Sequence, residues 1–157
     1  MARLETDNIV FEISNIITFT EDNILTYESF TFKFEYNGKK LFNNINKTKF
    51  ELLDGNIQSL LDLIFSVLNE DIIKGYYEFS EPEFEFELER LGSSDITVDD
   101  LPMYQFTIWL LSGQWQMICD SSGVGCKFIL YHHELTNFYN ELYEEYQNRR
   151  IIDYDNK

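Results

Sequence analysis

Residues 83–89 read EFEFELE, with Glu83, Glu85, Glu87 and Glu89 alternating with Phe84, Phe86 and Leu88. A repeat of two is the repeat of a β-strand, so it sets the apolar side chains on one face and the carboxylates on the other. The strand thus has a core side and a wet side. What the wet side meets, water or a basic partner, is the functional question.

The residues around this stretch extend the strand reading in both directions. YYEFS (76–80) precedes it, with Pro82 as a break or an edge residue, and the polar SSDITVDDLP (93–102) leads away from it. MYQFTIWLL (103–111), QWQMICD (114–120) and GCKFILY (125–131) then read as a three-stranded antiparallel meander, with turns at Ser112-Gly113 and in DSSGVG (120–125). Nearer the start, NIVFEISNIITF (8–19) and YESFTFKFEYNGKKLF (27–42) are strands separated by EDN (21–23). In the latter, Phe30, Phe32, Phe34 and Tyr36 share a face, and Asn37-Gly38 is a hairpin turn that sends the chain back through Lys39 to Phe42.

Two segments change period. Ile57, Leu60, Leu61, Ile64 and Leu68 recur at helical spacing, Leu63 and Val67 widen the stripe into that of a buried helix, and Asp54 or Asn56 can cap it. Residues 134–149 form an amphipathic helix with Leu135, Phe138, Tyr139, Leu142 and Tyr146 inward and Glu134, Glu141, Glu144 and Glu145 outward. Arg149 and Arg150 complement its negative end. Strands, a helix, more strands and a last helix predict a single α+β domain over residues 1–157, with a mainly antiparallel sheet, one buried central helix and one amphipathic C-terminal helix. A chain of 157 residues with 14 Phe and 10 Tyr has the material for such a core.

The net charge of −16 repels phosphate backbones and anionic membranes, so neither nucleic acid nor membrane is an expected partner. Acidic residues interrupt the N-terminal stretch where a secretory signal needs an apolar run, and no stretch approaches ~18 apolar residues, so a cytoplasmic protein is expected. The charge is also segregated. Between residues 77 and 100 nine carboxylates stand against Arg90 alone, a net −8, whereas Lys39, Lys40, Lys47 and Lys49 fall in an acid-free stretch between Tyr36 and Phe50. Successive carboxylates on one strand face are ~7 Å apart and cost about 0.6 kcal/mol per pair in a water-like dielectric. That cost is tolerable on a solvated, gatekeeping face, the bland reading of any charge run, and such a strand could pair with the one carrying Lys33.

Motifs of catalysis are absent: no GxxxxGK[ST], GxGxxG, HExxH or GxSxG occurs. The histidines are the adjacent His132 and His133, which on a strand point to opposite faces, so a general base here needs Asp120 or Cys119 from across the meander. Cys119 and Cys126 flank the DSSGVG loop, where a regular hairpin would oppose them, but they read as free thiols packing near Trp109 and Trp115. DITVDD lacks the glycine turn and terminal Glu of an EF-hand loop, and no metal or cofactor is expected.

The layout of an opening sheet, a buried helix, the acidic strand, YQFTIWLLSGQWQMICDSSG (104–123) and a terminal amphipathic helix resembles the small cytoplasmic immunity proteins of bacterial polymorphic-toxin systems, in size, charge and order over most of the chain. That resemblance implies a non-catalytic protein that binds and blocks a cognate toxin, often a nuclease. The charge map itself assigns partner binding to Glu83, Glu85, Glu87, Asp95, Asp99 and Asp100, which would attract a basic protein. Two alternatives stand beside this: a small enzyme using His132 or His133, and a homodimer in which the acidic strand meets the lysine-rich 39–49 region of another copy.

Overall fold

The computed structural model describes residues 1–21, 24–40, 49–53, 56–78, 84–92, 102–110 and 124–153. Glu83, Asp95, Asp99, Asp100, Lys47, Asp54, Cys119, Asp120 and the QWQMICD segment lie outside them. The chain falls into two compact units, Met1–Gln58 with Asn137–Lys157, and Ser59–Thr136. Two helices and two mostly antiparallel sheets make the α+β architecture expected from the order of periods.

The first sheet is built on two 13-residue strands, β2 after a short β1. Strand β1 (Ala2–Glu5) runs antiparallel to β2 (Ile9–Glu21), which pairs along its length with β3 (Ile24–Tyr36). Strands β4 (Lys39–Lys40) and β5 (Lys49–Leu53) both pair with β3. The turn between β3 and β4 is the expected one: Asn37 and Gly38 have φ of 50° and 70°, the left-handed pair that a two-residue hairpin of matching twist requires. Phe30, Phe32 and Phe34 are buried on one face of β3, while Tyr36 at its end is exposed. Phe11 of β2 meets Phe34 edge-on, with centroids 6.1 Å apart.

Helix α1 (Asn56–Leu68) buries Ile57, Leu60, Leu61, Leu63, Ile64 and Val67, as its stripe predicts. The N–H of Ile57 in its first turn is held by a side chain far away in sequence: the buried Glu28 of β3 accepts it at 3.2 Å. A carboxylate at that end also faces the positive pole of the helix dipole.

The second sheet runs β6 (Lys74–Glu78), β7 (Phe84–Leu91), β8 (Met103–Leu110), β9 (Val124–Tyr131), antiparallel throughout. Strand β7 contains the described part of EFEFELE, and its parity is as read: Phe86 and Leu88 are buried while Glu85, Glu87 and Glu89 are not. With Phe106 and Ile108 of β8 and Phe128 and Leu130 of β9 they form a continuous apolar face. Leu63 of α1 lies so close to Gly75 of β6 that a Cβ there would sit 2.2 Å from its Cδ1, so a side chain at this position would force Leu63 to move.

Two expectations about strand pairing are corrected, and strand β7 lies inside its sheet, between β6 and β8. It does not pair with the Lys33 strand, because Lys33 lies opposite Glu12 in the first sheet. Strands β8 and β9 pair directly, Met103 with Tyr131 through Leu110 with Val124, in place of the expected three-stranded meander, and QWQMICD lies outside the described residues.

Helix α2 (His132–Gln147) buries Leu135, Phe138, Leu142 and Tyr146, and Phe138 packs on Phe11 with centroids 6.3 Å apart. Arg149 serves the helix end as expected: its Nη1 donates to the Tyr146 carbonyl at 2.7 Å and its guanidinium lies 3.8 Å from the Tyr146 ring centroid. Arg150 instead opens β10 (Arg150–Asp153), which runs parallel to β2 beside Ile17–Thr20. That stretch of β2 begins after a bulge in which Asn15 and Ile16 oppose Phe30 alone, with Asn15 at φ 54°.

The bulge is bound from the helix. Glu145 accepts the N–H of Asn15 at 2.8 Å and also contacts the amino group of Met1. Burial acts to raise its pKa, but these hydrogen bonds, with one from the Ile16 N–H, outweigh it and hold the carboxyl below its ordinary 4.5. A lowered folded pKa contributes stability above the unfolded value, and that stability is lost as pH falls through the folded one. Thermal melts from neutral to acid pH should therefore show destabilisation below about pH 4.5 that a Glu145→Gln variant shows less of. The variant itself should be about 1–3 kcal/mol less stable at neutral pH, the usual cost of weakening a charged, partly buried hydrogen-bond set. A variant with an unchanged acid limb would remove Glu145 from that role.

Candidate functional site

The register of the second sheet decides which side chains meet on its wet face. Glu85 lies between Glu78 of β6 and Trp109 of β8, and Gly125 of β9 continues that row. Glu87 lies between Tyr76 and Thr107, with Lys127 beyond, and Glu89 lies between Lys74 and Gln105, with Ile129 beyond. Exposed aromatic and aliphatic groups stand among the carboxylates: Tyr76 is 54% accessible, Trp109 38% and Ile129 45%. Tyr and Trp are enriched at protein interfaces relative to the rest of a protein surface, whereas Glu is depleted there.

The charges on this face are unevenly matched. Lys74 is paired with both Glu87 and Glu89, the latter at 3.3 Å, and these two carboxylates raise its pKa. No cation is paired with Glu78 or Glu85 among the described residues. They face each other directly across β6 and β7, a like-charge pair at ~5 Å that costs about 0.8 kcal/mol in a water-like dielectric. The Tyr76 hydroxyl lies 3.4 Å from the Glu78 carboxylate. Its pKa is pushed up to about 12, first by desolvation and then by the charges and hydrogen bonds of Glu85 and Glu78. The hydroxyl thus stays neutral at physiological pH and donates to the carboxylates.

Trp109 packs on a glycine. Its ring lies over Gly125, where an added Cβ would come within 2.4 Å of it. Gly125→Val should therefore displace the indole, seen as a shift in the Trp109 side-chain resonance, with little change in the buried face of the sheet. An unmoved resonance would mean that the ring does not rest on the glycine.

Of the six residues the charge map assigned, the structure describes Glu85 and Glu87, both on the wet face of β7, with Glu87 already neutralised by Lys74. The sequence did not single out Tyr76, Glu78 or Trp109, because only the pairing register brings them beside Glu85.

Among the described residues no ion pair joins His132 or His133 to a carboxylate, and the expected partners Asp120 and Cys119 lie outside those residues. His132 opens α2, with its Nδ1 3.0 Å from the buried Tyr104 hydroxyl, while His133 stacks on Tyr131 with an interplanar angle of 9°. Beside Tyr104, Arg90 is paired with Glu70 at 2.8 Å. Burial pushes the Cys126 thiol up, away from the reactive thiolate form. Among the described residues no group of three His, Cys, Asp or Glu side chains is placed to hold a metal ion. An open cavity of about 310 Å³ lies in the first unit, bounded by Glu145, Arg149, Arg150 and the bulge residues of β2. Its carboxylate is occupied by the Asn15 N–H, and the cavity contains neither histidine nor cysteine. No helix among the described residues is long and apolar enough to cross a membrane.

Comparison of the chain with protein-family models, with curated proteins and with solved structures finds no match in any of the three.

Proposed function

We propose that this chain is a non-catalytic, acidic protein-binding domain that docks a basic protein on the wet face of its second sheet. In the setting its layout resembles, it acts as an immunity protein that neutralises a basic toxin such as a nuclease. The observation that carries the reading is the cross-strand pair Glu78 and Glu85, with no cation paired to either among the described residues, beside exposed Tyr76 and Trp109. A lysine or arginine from a partner relieves the repulsion of that pair and gains an aromatic neighbour in the same step. The net charge of −16 adds long-range attraction and speeds encounter. The neighbouring acids Glu83, Asp95, Asp99 and Asp100 add to the same negative charge in sequence and lie outside the described residues.

Affinity capture with the native chain and with a Glu78→Gln, Glu85→Gln, Trp109→Ala variant, at low and high salt, tests this reading. The native chain should retain a basic protein at low salt that the variant loses and that high salt releases. Equal retention by both forms would remove this face from the function.

A further inference from the structure

In an antiparallel ladder, opposed residues alternate between pairs that exchange two main-chain hydrogen bonds and pairs that exchange none. Two bonds set the phase of the second sheet. The Arg90 N–H donates to the Ile73 carbonyl at 2.8 Å, so Phe86, Leu88 and Arg90 turn their main-chain groups toward the β6 side. At the far edge the Tyr131 N–H donates to the Glu134 carboxylate at 2.7 Å instead of to β8, which gives the same phase counted across β8 and β7. Lys74, Tyr76 and Glu78 therefore point their N–H and C=O groups out of the sheet, and these groups have no main-chain partner among the described residues.

We infer that β6 is a docking edge, to which an extended, lysine- or arginine-bearing segment of the basic partner adds as a further strand. This rests on the proposed function and specifies how the partner is held. Charge selects the edge. On β6 the Lys74 ammonium is held by Glu87 and Glu89, and Glu78 stands exposed with Glu85 behind it. The opposite edge, β9, presents exposed Lys127, which has no ion pair among the described residues. A basic strand is thus drawn to one edge and repelled from the other. An added strand lies about 5 Å from β6, and its alternate side chains fall on the face of Glu78 and Tyr76, so main-chain bonds supply affinity and every second residue supplies the charge match.

The probe is a capped hexapeptide alternating lysine and valine, titrated calorimetrically into the full chain, beside the same peptide N-methylated on its edge-facing amides. The unmodified peptide should bind, and N-methylation should weaken it roughly tenfold or more, as for the loss of several partly compensated hydrogen bonds. Tyr76→Pro should weaken it similarly. Proline is tolerated there because the Tyr76 N–H faces out of the sheet, and circular dichroism checks that the fold is kept. Ile129→Pro on β9, at the opposite edge of the sheet, should weaken binding of the hexapeptide far less than Tyr76→Pro does. If N-methylation changes nothing while Glu78→Gln with Glu85→Gln still weakens binding, strand addition is overturned and the docking face stands. Loss with Ile129→Pro in place of Tyr76→Pro also overturns it. Failure of the unmodified peptide to bind overturns the inference, and capture by the native chain alone then decides the docking face.

Discussion

Replacement of Phe106 by Ala is expected to remove about 3–5 kcal/mol of folding stability, much of what a domain of this size possesses. Phe106 is fully buried at the middle of β8, opposite Leu88 on one side and Phe128 on the other, and it stacks on Phe86 with centroids 5.9 Å apart. Truncation forfeits the transfer energy of the ring and leaves a cavity among neighbours that are themselves large and held in register. Phe106→Leu should cost roughly 1–2 kcal/mol, since most of the volume is kept. Chemical denaturation followed by circular dichroism measures both. A cost below about 1 kcal/mol for the alanine variant would mean that this face is not packed around Phe106.

The second large effect has opposite signs in two assays. Glu78→Gln with Glu85→Gln removes a like-charge pair from the folded protein, so the variant should be more stable by about 0.5–1 kcal/mol, more so at low salt. The same variant should bind a basic partner about tenfold or more weakly, because it lacks the site at which the cation is received. A carboxylate row kept only for solubility predicts the stabilisation without the loss of binding. Trp109→Ala should lose a comparable factor in affinity with little change in salt dependence, since the indole contributes contact area rather than net charge. Together the variants separate the charged and the aromatic parts of the face.

The legible parts of the fold were those governed by local period or local turn chemistry. EFEFELE declared its buried and wet faces because the alternation of a strand is a property of consecutive residues. Asn37-Gly38 declared its turn because few other pairs accept two left-handed conformations in succession. The stripes of α1 and α2 were similarly local. Three short strands were not legible. ARLE (2–5), KFELL (49–53) and RIID (150–153) have too few residues to show a period, and each is a strand because β2 or β3 offers it an edge.

The candidate site was half legible for the same reason. That Glu85 and Glu87 face outward is local, but that Lys74 neutralises Glu87, and that Glu78, Tyr76 and Trp109 surround Glu85, depends on pairing across strands whose register no short stretch announces. The charge map assigned six of the nine carboxylates between residues 77 and 100. Cross-strand geometry gives the described ones different environments, and the pair with no cation among the described residues includes Glu78, which the map did not assign.

The most direct test of docking is amide and indole chemical-shift mapping of the folded chain as the captured basic protein is added. Saturating shifts should be confined to the wet face of β6, β7 and β8, led by the Trp109 indole and the amides of Tyr76, Glu78 and Glu85, and should fade at high salt. Shifts concentrated instead on the exposed acids of α2, or on the first sheet, with Trp109 unmoved, would contradict the account.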